Sequence, residues 1–380
     1  MIIQALSIAL MKILIFNWQD LSHPLAGGAE VHLHETYSRI ANMGHDVTLF
    51  CSTYNGAKPI DESNGIKIIR QGGRFLFNYV VMQKYFSTFK DQKFDLIVDD
   101  VNKIPFCTPA YVREPVLGEL HHLLGTSVFK EAVFPLASYV YLAERVSLPL
   151  YRKIHFMIHS PSTVTEVNAN GFSPERVHYV PYGMNHNLFR KTGVEKSSVP
   201  LIGALGRLKK YKSFDHLLEA FVIVKKIIPD AKLVIVGDGD DKPRLMELTN
   251  TLGLKESVTF TGFVSEAEKV QWLNKMHVAV NTSAKEGWGL TAIEANACGT
   301  TTVSSNVQGL RDAVIDGETG LLYEYGDREQ LAEKIILLLR DDNLRTRLAA
   351  DALTRSKEFD WQIGAEKTME VIERIVKEKR

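Results

Sequence analysis

The chain has 380 residues, 45% of them hydrophobic and 24% charged, with 45 Lys and Arg set against 45 Asp and Glu. A single core rarely keeps growing beyond about 250–300 residues, so the length predicts two or three domains. Zero net charge excludes the bulk basic field of a nucleic-acid binder, and because residues 1–190 hold 17 basic and 16 acidic side chains, neither half is a charged module.

Cys51, Cys107 and Cys298 are far apart and odd in number, which excludes a closed disulfide framework and a CxxC metal knuckle and fits a reducing compartment. Ten of the twelve histidines lie before residue 190. Residues 1–10 are apolar but lack a basic segment, and they fall well short of the roughly 20 residues a bilayer span needs. They read as a loose extension or as the product of an upstream start. The expectation is a soluble or peripheral protein, cytoplasmic or held at the cytoplasmic face of a membrane.

In chain order, KILIFNW (12–18) reads as a buried strand, followed by a Gly-rich turn, a helix over 29–43 and the strand DVTLFCS (46–52). Further strands are predicted at 66–70, 94–100, 115–120, 155–160 and 177–183. The polar stretch 189–200 interrupts this series. A second series follows at 201–207, 231–237, 257–263, 277–283 and 301–306, each strand leading into a segment of helical length, and a last helix spans 361–379. Continuous apolar strands alternating with helices predict parallel sheets covered on both faces. The fold class is therefore α/β, with two facing Rossmann-like domains at 1–190 and 191–360 and a helix at 361–380 packing back toward the first. Ligands bind beyond the carboxyl ends of such strands, which places the site in the interdomain cleft.

Gly27 and Gly28 sit between the first strand and its helix, where the backbone can approach an anion at a helix N-terminus; a tight structural turn is the competing reading. Arg207, following Gly206 at a strand end, and Lys212 five positions on can clamp a diphosphate, against the alternative of a solvated basic turn with Lys209 and Lys210. The sharpest signal is Glu286-Gly287-Trp288-Gly289-Leu290-Thr291-Ala292-Ile293-Glu294. Its two carboxylates lie eight positions apart, one in a loop and one about a turn into a helix. They bracket glycine amides and suit a polyhydroxylated ligand whose hydroxyls donate. Asp238-Gly239-Asp240 has the form of a DxD metal motif but follows a strand, where Gly and Asp serve turn geometry; no metal is expected.

The segment from Glu286 to Glu294 resembles the Glu-x7-Glu motif of the retaining glycosyltransferases of family 4, which have the GT-B fold. Gly27-Gly28-Ala29-Glu30 is similar to that family's Gly-Gly loop. Gly44-His45-Asp46-Val47, Gly206-Arg207-Leu208 with Lys212, Val236-Gly237-Asp238-Gly239 and Thr261-Gly262-Phe263-Val264 are similar to further family elements in the same order. The resemblance implies that Glu294 binds ribose hydroxyls and Glu286 sugar hydroxyls. Gly287 and the amides around Trp288, Gly289 and Leu290 would hold sugar and phosphate oxygens. Arg207 and Lys212 would neutralise the diphosphate, with Gly27 and Gly28 opposite, and the backbone near Phe263 and Val264 would meet the base. His121 stands where the family has the first residue of His-Asp, here His121-His122, and would contact the sugar or the acceptor. Tyr182-Gly183-Met184-Asn185 and Ser213 depart from the family pattern.

The implied activity is transfer of a hexose-type sugar, with retention and without a metal or other cofactor, from a UDP- or GDP-linked donor to a glycan or lipid-linked acceptor. Other readings are a nucleotide-sugar epimerase, a phosphorylase, for which the chain is short, and a non-catalytic sugar- or nucleotide-binding protein. The apolar and aromatic stretches Phe75 to Val81 and Val128 to Leu150 leave two readings: a peripheral membrane surface on the N-terminal domain, or ordinary helix core.

Overall fold

The structure is a computed structural model and describes residues 10–73, 76–101, 104–121, 123, 125, 128–131 and 134–379. The first unit runs β1 (Lys12–Phe16), α1 (Gly28–Asn42), β2 (Asp46–Cys51), β3 (Ile60–Ser63), β4 (Ile66–Arg70), α2 (Phe77–Ser87), β5 (Leu96–Asp100), β6 (Val116–Leu120), α3 (Val128–Glu131), α4 (Leu136–Tyr151), β7 (His155–Ile158), α5 (Pro161–Ala169) and β8 (Val177–Tyr179). Its eight strands form one sheet in the order β3-β4-β2-β1-β5-β6-β7-β8, parallel except for the edge hairpin β3–β4.

The second unit runs β9 (Leu201–Leu205), α6 (Phe214–Ile227), β10 (Lys232–Val236), α7 (Lys242–Thr251), β11 (Val258–Gly262), α8 (Glu266–Lys275), β12 (Val278–Asn281), α9 (Leu290–Ala297), β13 (Thr301–Ser305), α10 (Leu310–Ala313), β14 (Gly320–Tyr323), α11 (Arg328–Arg340) and α12 (Asp342–Ser356). Its six strands are all parallel, in the order β11-β10-β9-β12-β13-β14. The inner strands are buried along their length, as sheets covered on both faces require.

Two strands were not anticipated. β3 carries Asp61 and Glu62 and pairs on one side only, so its apolar content is low. β14 is a four-residue edge strand closing the second sheet. Several anticipated strands end earlier than the apolar run does, because the chain leaves the ladder to build the loops over the cleft. Asn17, after β1, turns its amide onto the Gln19 carbonyl at 2.8 Å.

The chain crosses between the two units twice. After β8 it enters the second unit, and after α12 it returns as α13 (Trp361–Lys379), which packs on α1 through Ala365, Met369, Ile372 and Ile375. The two crossings are joined. The Met184 amide donates to the Phe359 carbonyl at 3.1 Å, and His186 Nε2 meets the same oxygen at 2.8 Å. A Cβ on Gly183 would lie 2.3 Å from the Trp361 nitrogen and 2.4 Å from its Cα, so only glycine lets the two segments touch. Gly183→Ala forces backbone apart and is expected to cost about 1–3 kcal/mol. The expected result is a lower urea midpoint with an unchanged m-value; an unchanged midpoint would contradict the packing described.

Candidate active site

The carboxyl ends of both sheets open on one cleft of about 470 Å³. From the first unit it is lined by the β1–α1 loop, with Gln19, Gly27, Gly28 and Glu30, and by His121 and Tyr182. From the second unit come Gly206, Arg207, Tyr211, Lys212, Lys269 and the run Glu286 to Thr291 with Glu294; Trp361 of α13 closes the back. Two helix N-termini face this space from opposite sides. α1 is preceded by its capping residue Gly27, whose N–H donates to Glu30 Oε2 at 2.7 Å. α9 is preceded by Gly289, whose φ of +82° suits glycine, and a Cβ there would meet Leu310 and Ala313 at 2.9 and 3.0 Å. The first N–H groups of each helix lack intrahelical acceptors and carry the positive end of the helix dipole. A Cβ on Gly28 would meet nothing within 4 Å.

The cleft's half-buried lysines are paired with the two motif glutamates. Lys212 Nζ binds Glu286 Oε1, and that oxygen also accepts from Ser283 Oγ at 2.6 Å. Burial works against the Lys212 charge, but the facing Glu286 carboxylate outweighs it and holds the ammonium pKa above its ordinary value. Lys269 on α8 lies 2.9 Å from both oxygens of Glu294, which is 4% exposed. Burial nevertheless raises the Glu294 carboxyl above the usual carboxylate range. Arg207 reaches across the cleft, and its Nη2 donates to the Ala26 carbonyl at 3.0 Å.

His121 forms part of the first unit's wall. Its Nε2 lies 3.1 Å from Asp100 Oδ1, its Nδ1 meets the Tyr182 hydroxyl, and its ring stacks on His159 and Tyr182. Burial, with His159 alongside, pushes its pKa down to about 4. Both ring nitrogens are thus already engaged by protein partners.

The structure brings together Gly27, Gly28, His121, Arg207, Lys212, Glu286, Gly287, Trp288, Gly289, Leu290 and Glu294. The Trp288 side chain is buried against Phe359, so this residue serves the cleft with its backbone. Phe263 and Val264 do not line the cleft. They lie on the segment leading into α8, with Phe263 88% exposed and Val264 packed inward. His122 lies outside the described residues. His45 is remote: its Nδ1 accepts from the Met11 amide. Asp238 and Asp240 are exposed and paired with Lys242 and Lys209 at 3.0 and 2.8 Å, the arrangement of a charged turn.

Sequence reasoning missed Gln19, Tyr211, Lys269, Tyr182 and Trp361. Lys269 comes from a neighbouring helix and Trp361 from the end of the chain, so no local spacing marks them. Tyr182 stood in view only as a departure from the family pattern.

Fold and site define a two-domain α/β protein whose cleft offers helix N-termini and lysines to an anion and carboxylates to hydroxyls. Residues 26–188 match the family described as Glycosyltransferase Family 4, and residues 186–355 match Glycosyl transferases group 1. The chain belongs to this group 1, family 4 type of glycosyltransferases. It is 32% identical over 211 residues to a D-inositol 3-phosphate glycosyltransferase of Stackebrandtia nassauensis, covering 51% of this chain and 47% of that protein. The chain thus spans about half the length of such curated relatives.

Solved structures share the GT-B fold. Sucrose-phosphate synthase from Thermosynechococcus elongatus aligns with a TM-score of 0.81 at 23% identity, covering 96% of this chain and 98% of that one. Anabaena HepE in complex with UDP and glucose aligns at 0.75 and 20%, covering 96% and 100%.

Because Lys212 and Glu286 are each 15% exposed and share one contact, their effects on stability should not add. Lys212→Met, Glu286→Gln and the double variant, compared by urea unfolding, are expected to give a coupling of about 0.5–3 kcal/mol. Additive effects would show that the pair is not formed in solution.

Proposed function

We propose that this chain transfers a hexose-type sugar from a UDP- or GDP-linked donor to a glycan or lipid-linked acceptor, with retention at the anomeric carbon and without a metal ion at the diphosphate. The observation that carries the proposal is the convergence of two helix N-termini and two Lys–Glu pairs on one interdomain cleft. A nucleotide sugar carries the complementary groups, a diphosphate for the cations and N–H groups and hydroxyls for the carboxylates. HepE, solved in complex with UDP and glucose, supports a nucleotide-sugar ligand for this architecture.

In this reading Glu294 receives the ribose hydroxyls, and the base lies toward the backbone of Phe263 and Val264. Glu286 orients the sugar, and the amides from Gly287 to Leu290 hold sugar and phosphate oxygens. Lys212 and Arg207 face the leaving diphosphate, with Gly27 and Gly28 opposite, so that negative charge growing there meets cations already in place. Arg207 exchanges the Ala26 carbonyl for a phosphate oxygen. Both motif glutamates are tied to lysines, which suits binding and leaves neither as a free nucleophile for a two-carboxylate hydrolytic route. The leaving phosphate then takes the acceptor's proton as attack occurs on the same face. His121, held by Asp100 and Tyr182, positions the acceptor side of the cleft.

The acceptor would dock on the first unit. No helix among the described residues is long and apolar enough to cross a membrane. α4 nevertheless exposes Leu136, Tyr139, Leu142, Val146 and Leu150 along one stripe, and α2 exposes Tyr79, Met82 and Phe86, with Leu76 exposed just before it, while burying Phe77, Val81 and Tyr85. Ordinary helix core accounts for only the buried part of these stretches. The exposed stripes would rest on a lipid surface at the cytoplasmic face of a membrane, where a lipid-linked acceptor is presented.

Incubation with UDP-, GDP- and ADP-sugars, scored for nucleoside diphosphate release with glycan, lipid-linked and D-inositol 3-phosphate acceptors, tests the activity. Release that requires an acceptor, continues when divalent ions are omitted and yields product of the donor's anomeric configuration is expected. Sugar interconversion without release would indicate an epimerase, and binding without either would indicate a non-catalytic protein. Lys212→Ala and Arg207→Ala should each lower kcat about 10²–10³-fold, the usual effect of removing one preorganised charge partner; unchanged turnover in both would remove the assignment. In flotation with anionic vesicles the wild type should rise with lipid, and Leu142→Glu with Val146→Glu should stay at the bottom. Failure of the wild type to float would end the membrane reading.

A further inference from the structure

A second polar cluster lies behind the cleft wall. His32 on α1, Glu119 on β6 and His159 just past β7 are each 0% exposed. Their ligand-capable atoms all lie within 4.8 Å of one another. The Nε2 atoms of both histidines face a single oxygen, Glu119 Oε1, at 2.8 Å from His32 and 3.3 Å from His159. Neither contact is aligned as a hydrogen bond, and all three atoms are buried without a hydrogen-bond partner. Buried polar atoms are ordinarily satisfied, so three that converge unsatisfied on one point call for an occupant.

Surrounding bonds fix what faces inward. His159 Nδ1 lies 2.8 Å from the Val180 carbonyl, to which it must donate, so Nε2 is the ring atom left on the Glu119 side. The other carboxylate oxygen, Oε2, accepts from the Tyr37 hydroxyl at 3.0 Å. A metal-bound histidine typically donates its remaining N–H to a carbonyl, and a ligating carboxylate is itself hydrogen-bonded. His32 is held by its ring, 4.4 Å from Tyr182 and 4.3 Å from His159 between centroids. An unprotonated imidazole nitrogen and a carboxylate oxygen this close repel each other unless a cation bound to both offsets it. Metal–ligand bonds of about 2.0–2.2 Å place neighbouring donor atoms of a tetrahedral or octahedral ion roughly 2.8–3.5 Å apart, the range of both separations here.

We propose that His32 Nε2, Glu119 Oε1 and His159 Nε2 bind one divalent transition-metal ion, Zn²⁺ by the character of the ligands, as a structural site. Two imidazoles and one carboxylate are borderline ligands suited to zinc rather than to Mg²⁺ or Ca²⁺. The fourth position falls to a water. The ion ties α1 to the ends of β6 and β7. It also fixes the His159 ring, on which Tyr182 and His121 stack at 4.5 and 5.2 Å to make the cleft wall. It takes no part at the diphosphate and does not depend on the proposed transfer reaction.

The test is the metal content of the full-length chain, expressed in zinc-supplemented and separately in cobalt-supplemented minimal medium, then desalted. About one zinc or cobalt per chain is expected, with the intense visible absorption of four- or five-coordinate Co²⁺. Glu119→Gln and His159→Gln should lose both signals, while Glu286→Gln keeps them. A folded wild-type chain without stoichiometric metal would overturn the proposal and assign a proton to the gap between imidazole and carboxylate. Full metal content in Glu119→Gln or His159→Gln, or only the weak absorption of octahedral Co²⁺ in the wild type, would overturn it as well. If neither variant folds, the wild-type metal content and cobalt spectrum decide alone.

Discussion

A lysine ammonium removed from water needs a negative partner, and the cleft is built on that requirement. Lys212 and Lys269 each point into it, and Glu286 and Glu294 answer them. The eight-position spacing of the two glutamates reflects this geometry. One sits in the loop after β12 against Lys212; the other sits within α9, where it meets a lysine from α8. In the proposed function, a diphosphate arriving between them would compete for the same cations and leave the carboxylates to the donor's hydroxyls, so that charge compensation before binding would set up charge recognition during it.

The fold supplies the alignment. Two parallel sheets direct the carboxyl ends of their strands at one space, so two helix N-termini and two sets of loops converge there without further design. What holds the halves together is the double crossing of the chain, where Gly183 allows the Met184 segment to touch Trp361. α13 then lies on α1, the helix whose N-terminus opens on the cleft. Further contacts bridge the units: Ser162 Oγ donates to Asp312 Oδ1 at 2.8 Å, and Gln308 Nε2 to Glu166 Oε2 at 2.7 Å.

Much of this was legible in the sequence because buried parallel strands are written as unbroken apolar runs. β1, β2, β4 and the inner strands of the second sheet were found for that reason. β3 escaped because a charged edge strand has no such run, and β14 because four residues at a sheet edge carry too little signal. At the site, the backbone-dependent features were readable: glycines at turns and carboxylates at a fixed spacing. Contacts made by side chains from distant elements were not. Lys269, Tyr182 and Trp361 reach the cleft only through tertiary packing. The histidine surplus of the first half also found a structural account. His32, His121 and His159 gather around Glu119 and Asp100, and His155 stacks on His178 beside Glu378.

The central claim is that the cleft's lysines recognise a diphosphate while its carboxylates recognise hydroxyls. Calorimetric titration of the wild type and Lys212→Met with UDP and with uridine, and likewise with GDP and guanosine, separates the two. The account predicts that for the nucleotide that binds, Lys212→Met weakens the diphosphate at least about tenfold, or about 1.4 kcal/mol, and leaves the nucleoside unchanged. Equal affinity of both proteins for the diphosphate, or an equal loss for nucleoside and diphosphate, would contradict it.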